Sequence, residues 1–258
     1  MRQSTLHPSA RAVALGITLL SLAAGASAQD TFSTISSVYF DMKYQGGVQE
    51  EDVRSLLGYL QGERATIIQQ VGFDSTKKIE VRIYNSVGRF LAGAGVKQPW
   101  RGAYYFKDVL HVQPVQALEQ RGILESAISY ELAMAYLEAA RHKGCPQWLQ
   151  DAYAVHFSDE MKRLSQPVGV RLSSFSDLNQ DIQQYPNPPQ RDDVHYVLGQ
   201  TMKFFIGKYG ELRTYGLFRE FDGMTSVETV FKRVFGEEYH GIERAWAGSV
   251  KSSKKVPH

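Results

Sequence analysis

The spacing of apolar residues divides the chain into a mixed first half and a helical second half. Glu50 to Val71 places apolar residues at helical spacing, and Lys78 to Tyr84 alternates charged and apolar residues as a half-buried strand does. Thr31 to Tyr44 is rich in β-branched and aromatic residues and predicts one strand. Two further strands are predicted at Gly102 to Phe106 and at Val109 to Val112.

From Glu119 onward the apolar spacing is that of helices, with a second clear helix over Gln147 to Phe157. Ser165 to Arg191 is polar and contains Pro186, Pro188 and Pro189, which predicts a long loop. The expected fold class is therefore α+β. We expect a small α/β half over residues 29–115, a helical half over residues 116–250 and a basic tail over residues 251–258.

The first 28 residues have the features of a secretory signal peptide. Arg2 and Arg11 give a positive start, Ala12 to Gly25 is a short apolar run, and Ala26-Ser27-Ala28 matches a cleavage signal. Cleavage is expected between Ala28 and Gln29, with export to the periplasm or the cell exterior.

Charge and composition narrow the set of partners. Removal of the signal peptide takes away two positive charges and no negative ones, so the formal charge of +2 disappears. No basic excess then remains to neutralise phosphates, and we expect no nucleic-acid partner. No segment of the mature chain is apolar enough to predict a membrane span. The single cysteine, Cys145, excludes an internal disulfide.

The most informative segment runs from Ser129 to Ser158. Tyr130-Glu131-Leu132-Ala133-Met134 has the frame of the His-Glu-x-x-His zinc motif, with the glutamate present and both histidines replaced. Pro146-Gln147-Trp148-Leu149-Gln150-Asp151-Ala152 follows, with an acidic residue where a third zinc ligand would stand. This chain resembles the gluzincin peptidases of the peptidase-MA-like type.

The resemblance implies a zincin-like fold in which an α/β half precedes the zinc helix and a helical half follows it. It places Glu131 at the position of the catalytic base, and Tyr130, Met134 and Asp151 at the metal-ligand positions. It also implies cleft positions for His195 and Tyr196, because gluzincins often bring a tyrosine or histidine from this region to the oxyanion.

The residues at the ligand positions are poorly suited to zinc, which needs three protein ligands at a catalytic site. Tyr130 would ligate only as a phenolate, and its reference pKa of about 10 opposes that. The thioether of Met134 suits Cu(I) better than zinc, and Asp151 alone does not hold the metal. No pair of histidines elsewhere in the chain has the spacing of zinc ligands next to a carboxylate. We therefore expect no metal and no cofactor.

Glu131 falls within the apolar arc of its helix, so its carboxylate is expected to be partly buried and to need a partner. Two interpretations remain open at this point. Glu131 is either the general base of a working hydrolase or a buried acid held by hydrogen bonds.

Three functions follow from these patterns. The first is an exported, catalytically inactive peptidase-like protein, or pseudopeptidase, with a peptide or protein ligand or a structural role. The alternative is an active zinc-dependent hydrolase that uses Glu131 with an unusual metal site, so whether the chain is an enzyme stays open. A third, a carbohydrate-binding or envelope-binding module, has Trp100, Tyr104 and Tyr105 as stacking residues and predicts an aromatic groove away from Glu131. An open cleft around Glu131 would favour binding over a purely structural role.

Overall fold

A computed structural model describes residues 31–72, 77–141, 143–167, 174–183 and 188–252. The predicted signal peptide over residues 1–28 lies outside the described residues. Residues 253–258 of the predicted basic tail also lie outside them, whereas Lys251 and Ser252 belong to the last helix.

The described chain is α+β, as the sequence predicts, with its strands before residue 113 and most of its helices after that point. The elements are β1 Phe32–Ser36, β2 Phe40–Gln45, α1 Glu50–Val71, β3 Ile79–Ile83, α2 Val87–Ala94, β4 Ala103–Phe106, β5 Val109–Val112, α3 Val115–Gln120, α4 Leu124–Arg141, α5 Gln147–Phe157, α6 Phe175–Gln183, α7 Pro188–Tyr209, α8 Glu211–Gly216, α9 Val227–Phe235 and α10 Tyr239–Ser252. Two short 3-10 helices occupy Glu160–Lys162 and Leu217–Glu220.

The five described strands form one mixed sheet in the order β1-β2-β3-β5-β4. The three inner strands are parallel, and both edge strands are antiparallel to their neighbours. In β3 the apolar residues Ile79, Val81 and Ile83 are buried while the charged residues between them are partly exposed, which is the expected result of alternation in a strand. Helix α4 packs along the edge strand β4.

The hairpin between β4 and β5 determines which backbone groups of β4 face away from the sheet. Lys107 and Asp108 both have positive φ, of 49° and 66°, as a two-residue hairpin turn requires. The N–H of Gln113 donates to the carbonyl of Gly102 at 3.0 Å. Because hydrogen-bonded pairs alternate along an antiparallel ladder, Ala103 and Tyr105 direct their N–H and C=O groups outward.

Aromatic side chains form the core of the helical half. Trp148 of α5 stacks on Phe175 of α6 with ring centroids 4.3 Å apart, and Phe205, Phe231 and Trp246 pack around this pair. Such pairs add to the free energy gained from burial and fix how the helices meet. None of the described helices combines the length and apolar character that crossing a membrane requires.

Two predictions about elements are wrong. The single strand expected over Thr31 to Tyr44 is two strands, because Ser37 makes a turn in which its hydroxyl accepts the N–H of Phe40 at 3.1 Å. The long loop expected from Ser165 to Arg191 contains α6 and the start of α7. Ser174 and Asp177 cap α6 reciprocally, each side chain accepting the other's backbone N–H.

A buried hydrogen bond between α7 and α10 provides a test of this packing. The indole N–H of Trp246 donates to Thr201 Oγ1 at 2.9 Å, and both residues are fully buried. Thr201→Val removes the acceptor with little change of shape, so we expect a loss of about 1–3 kcal/mol in the free energy of unfolding. Thr66→Val is the matched control, since the Thr66 hydroxyl makes the same helical bond to residue i−4 on an exposed face. Urea unfolding measures both, and equal effects would contradict the prediction.

Candidate functional site

A hydrogen bond between α4 and α5 lies at the centre of the candidate site. The hydroxyl of Tyr130 on α4 donates to one carboxylate oxygen of Asp151 on α5. Gln147, one helical turn before Asp151, donates its side-chain N–H to the other oxygen at 2.8 Å. Burial raises the pKa of Asp151, although both hydrogen bonds act against that rise. Both oxygens of this acid are therefore engaged by protein donors.

Tyr130 is held as a neutral phenol. Burial, followed by the negative charge of Asp151, raises the pKa of Tyr130 well above its usual value. The ring stacks on the imidazole of His195 from α7 with centroids 5.2 Å apart. Tyr130 thus donates a hydrogen bond to Asp151 on one side and packs against His195 on the other.

Glu131 is buried and bound to the edge of the sheet. Its Oε2 accepts the outward-facing N–H of Tyr105 at 2.9 Å, and its Oε1 lies 3.8 Å from Nη2 of Arg101. Burial raises the pKa of Glu131, and the charge of Arg101 and the Tyr105 hydrogen bond act against that rise. The prediction that Glu131 is buried with a partner is confirmed.

Glu160, Arg191 and His195 form a buried ion cluster next to the site. Glu160 accepts a hydrogen bond from Arg191 at 2.9 Å and lies 2.7 Å from Nδ1 of His195. Arg191 and His195 are four residues apart on α7 and so share one face. Burial alone would raise the pKa of Glu160, but its interactions with His195 and Arg191 outweigh burial and lower it to about 2. Glu160 is thereby held in its ionised form.

The residues present do not fit a zinc ion. Tyr130 keeps its proton and donates a hydrogen bond to Asp151, both of whose oxygens are engaged by protein donors. Met134 supplies only a thioether. Across the described part of the chain, no three or more His, Cys, Asp or Glu side chains are grouped so that they would hold a metal ion. We therefore derive no chemistry that passes through a bound metal.

Tyr130 and Met134 line an open cavity and do not fill it. The cavity has a volume of about 600 Å³, within the usual range for small-ligand sites. It is lined by Gln98, Trp100, Arg101, Tyr104, Tyr105, Phe106, Lys107, Tyr130, Glu131, Met134, Glu138, Gln147, Gln150, Asp151, Arg191, His195 and Leu198. The side-chain oxygen of Gln150 is buried in this wall and has no hydrogen-bond partner in the described parts of the chain.

The cavity brings together most of the residues selected from the sequence. Tyr130, Glu131, Met134, Asp151 and His195 all line it, whereas Tyr196 does not. Trp100, Tyr104 and Tyr105 also line this cavity, so these stacking residues do not form the separate groove that a carbohydrate module predicts.

Sequence reasoning did not select four residues that orient this site: Arg101, Gln147, Glu160 and Arg191. Gln147 had a local signal, because it stands one helical turn before Asp151. The other three act through contacts between residues distant in sequence, which leave no local pattern.

No protein-family model matches this chain, and no curated protein is similar enough to match it. The relation to gluzincin peptidases therefore stays a prediction that rests on the residues from Ser129 to Ser158.

Glu131 provides a test through the pH dependence of stability. Because its pKa is raised in the folded state, its contribution to stability is full below the unfolded pKa of about 4.3 and is lost as pH rises through the folded value. Glu131→Gln keeps an acceptor for the Tyr105 N–H and removes this titration. We expect the variant to lose less stability than the native protein as pH rises above the unfolded pKa of Glu131.

Glu131→Leu leaves the Tyr105 N–H without an acceptor, so it should be about 1–3 kcal/mol less stable than Glu131→Gln at every pH, because neither variant titrates at this position. Glu125→Gln and Glu125→Leu are controls on an exposed position of the same helix. Denaturant unfolding at several pH values measures all four variants. Parallel pH profiles for the native protein and Glu131→Gln would refute the assignment of a raised pKa.

Proposed function

We propose that this protein is an exported pseudopeptidase with a zincin-like fold, which binds an extended peptide or protein segment in its cleft and does not cleave it. One observation carries the proposal. The Tyr130–Asp151 hydrogen bond joins two positions that would hold a metal, while a cavity of about 600 Å³ stays open beside it. The place of action, the periplasm or the cell exterior, rests on the predicted signal peptide.

The arrangement of elements supports the zincin-like part of the proposal. The helix that carries Tyr130, Glu131 and Met134 packs along an antiparallel edge strand, and the next helix brings Asp151 to Tyr130. The gluzincin resemblance implies this order, in which an α/β half precedes the motif helix and a helical half follows it.

Peptide binding is supported by the backbone groups at the cavity. On the edge strand β4, the N–H and C=O of Ala103 and the C=O of Tyr105 face outward, while the N–H of Tyr105 is bound by Glu131. An extended peptide adds to such an edge through main-chain hydrogen bonds. Tyr104 and Phe106, which stack on each other with centroids 5.9 Å apart, give a surface for an apolar side chain.

The active hydrolase remains the second candidate because burial raises the pKa of Glu131. A carboxyl group with a raised pKa in a cleft is a candidate general acid or base. Its bond to the Tyr105 N–H favours the structural role, since the carboxylate already has a partner.

Zinc binding distinguishes the two candidates. Because Tyr130 and Met134 replace both histidines, calorimetry should detect no tight zinc site in the native protein. The double variant Tyr130→His, Met134→His should gain measurable zinc affinity, with Asp151 as the third ligand. The same double variant with Asp151→Ala is the control and should lose that affinity. One tightly bound zinc ion per native protein would contradict the conclusion that these residues do not fit zinc, and would favour the active hydrolase.

A peptide-binding assay tests the proposed function directly. A pool of random octapeptides should be retained on the immobilised native protein and recovered uncleaved, as judged by mass spectrometry. Phe106→Ser should make the binding free energy of the retained peptides less favourable by about 1 kcal/mol, since it removes apolar contact area from the cavity wall. Met224→Ser, which changes an exposed apolar residue outside the cavity, is the control.

Two outcomes of this assay would reject the proposal. Failure to retain any peptide would remove the binding function. Metal-dependent cleavage that disappears in Glu131→Gln would promote the active hydrolase in its place.

A further inference from the structure

A second cavity adjoins the first and shares part of its wall. It has a volume of about 200 Å³, and both cavities are lined by Trp100, Arg101, Tyr130, Glu131 and Arg191. We call it the small lobe of the cleft. The small lobe and the larger cavity therefore lie next to each other, with these shared residues between them.

The small lobe is rich in arginine. Its described lining contains four arginines and three carboxylates: Arg101, Arg121, Arg163, Arg191, Glu131, Glu160 and Asp192. Glu160 is already bound by Arg191 and His195, and Glu131 accepts the Tyr105 N–H. The lining thus has one more positive than negative formal charge.

Arg121 is held in place by neutral acceptors. It donates to the carbonyl of Trp100 at 2.6 Å and to the side-chain oxygen of Gln113 at 3.3 Å. Among the described residues it has no carboxylate within salt-bridge distance. Its position is fixed without neutralising its charge, which leaves this exposed guanidinium available to an anionic ligand.

Arg163 adds a second cation at the same lobe. Its guanidinium donates to the hydroxyl of Ser126 at 2.9 Å and lies 3.8 Å from Glu160. Burial, followed by the like charge of Arg163, lowers the pKa of Arg121. The two guanidinium groups repel each other, and a bound anion would relieve that repulsion.

We propose that the small lobe binds a carboxylate of the ligand, held by Arg121 and Arg163, while the adjoining residues of that ligand occupy the larger cavity. This inference rests on the proposed function and specifies its ligand class as peptides with a carboxylate. The source of the carboxylate is either the C-terminus of a peptide or an acidic side chain.

The charge balance favours a carboxylate over a phosphate. One carboxylate cancels the single excess positive charge of the lobe, whereas a phosphate monoester dianion would leave an excess of negative charge beside Glu131, Glu160 and Asp192.

Four probes test the proposal by isothermal titration calorimetry. They are N-acetylated Ala-Ala-Phe as the free acid, the same peptide as its C-terminal amide, N-acetylated Ala-Glu-Phe amide, and N-acetylphenylalanine. The free acid should bind about tenfold or more tightly than the amide that lacks a carboxylate. This advantage should shrink as salt rises and should be lost in Arg121→Gln and Arg163→Gln. Arg213→Gln, an exposed arginine that lines neither cavity, should preserve it.

The probes also separate the two sources. Tight binding of the free acid alone indicates a C-terminal carboxylate, and equally tight binding of the glutamate-containing amide indicates a side-chain carboxylate. Equal affinity of all three peptides, unchanged in both arginine variants, would overturn the inference and leave peptide binding standing. If N-acetylphenylalanine binds and none of the three peptides does, the result would support a carboxylate site in the small lobe and reject the proposed function. Failure of every probe to bind would overturn the inference, while the octapeptide assay decides the proposed function separately.

Discussion

The arrangement of the site depends on one hydrogen bond, from the hydroxyl of Tyr130 to the carboxylate of Asp151. It joins α4 to α5 inside the protein, where a buried acid without a donor would destabilise the fold. It also fixes the plane of the Tyr130 ring, against which His195 stacks. Since His195 in turn contacts Glu160, the bond links four helical segments around the cleft.

The three buried acids around this cleft are stabilised in different ways. Glu160 is paired with cationic partners, which keep it ionised. Asp151 has two neutral donors, and Glu131 has a backbone N–H and a more distant arginine, so burial still raises the pKa of both. The cleft thus contains one firmly charged carboxylate and two that take up protons more readily.

The sequence predicts elements well where the pattern is long and periodic. The bounds of α1 and α5 match the structure, and the turn at Lys107 and Asp108 lies where expected. The prediction fails where a side chain alone makes the turn, as at Ser37, and where prolines at a helix start suggest a loop, as at Pro188. Within the site, the positions near Glu131 are readable because they share one helix face, whereas Arg191 and Glu160 meet through tertiary folding.

Gln113 has a consequence for how quickly a ligand is bound. This fully buried residue follows β5, and its amide donates to the carbonyls of Pro99 and Arg101 while its oxygen accepts from Arg121. The segment that carries Trp100 and Arg101 is therefore anchored to the sheet from behind. A wall fixed in this way is preorganised, so little conformational entropy is lost on association. Encounter with the ligand, and not a rearrangement of the wall, would then set the association rate.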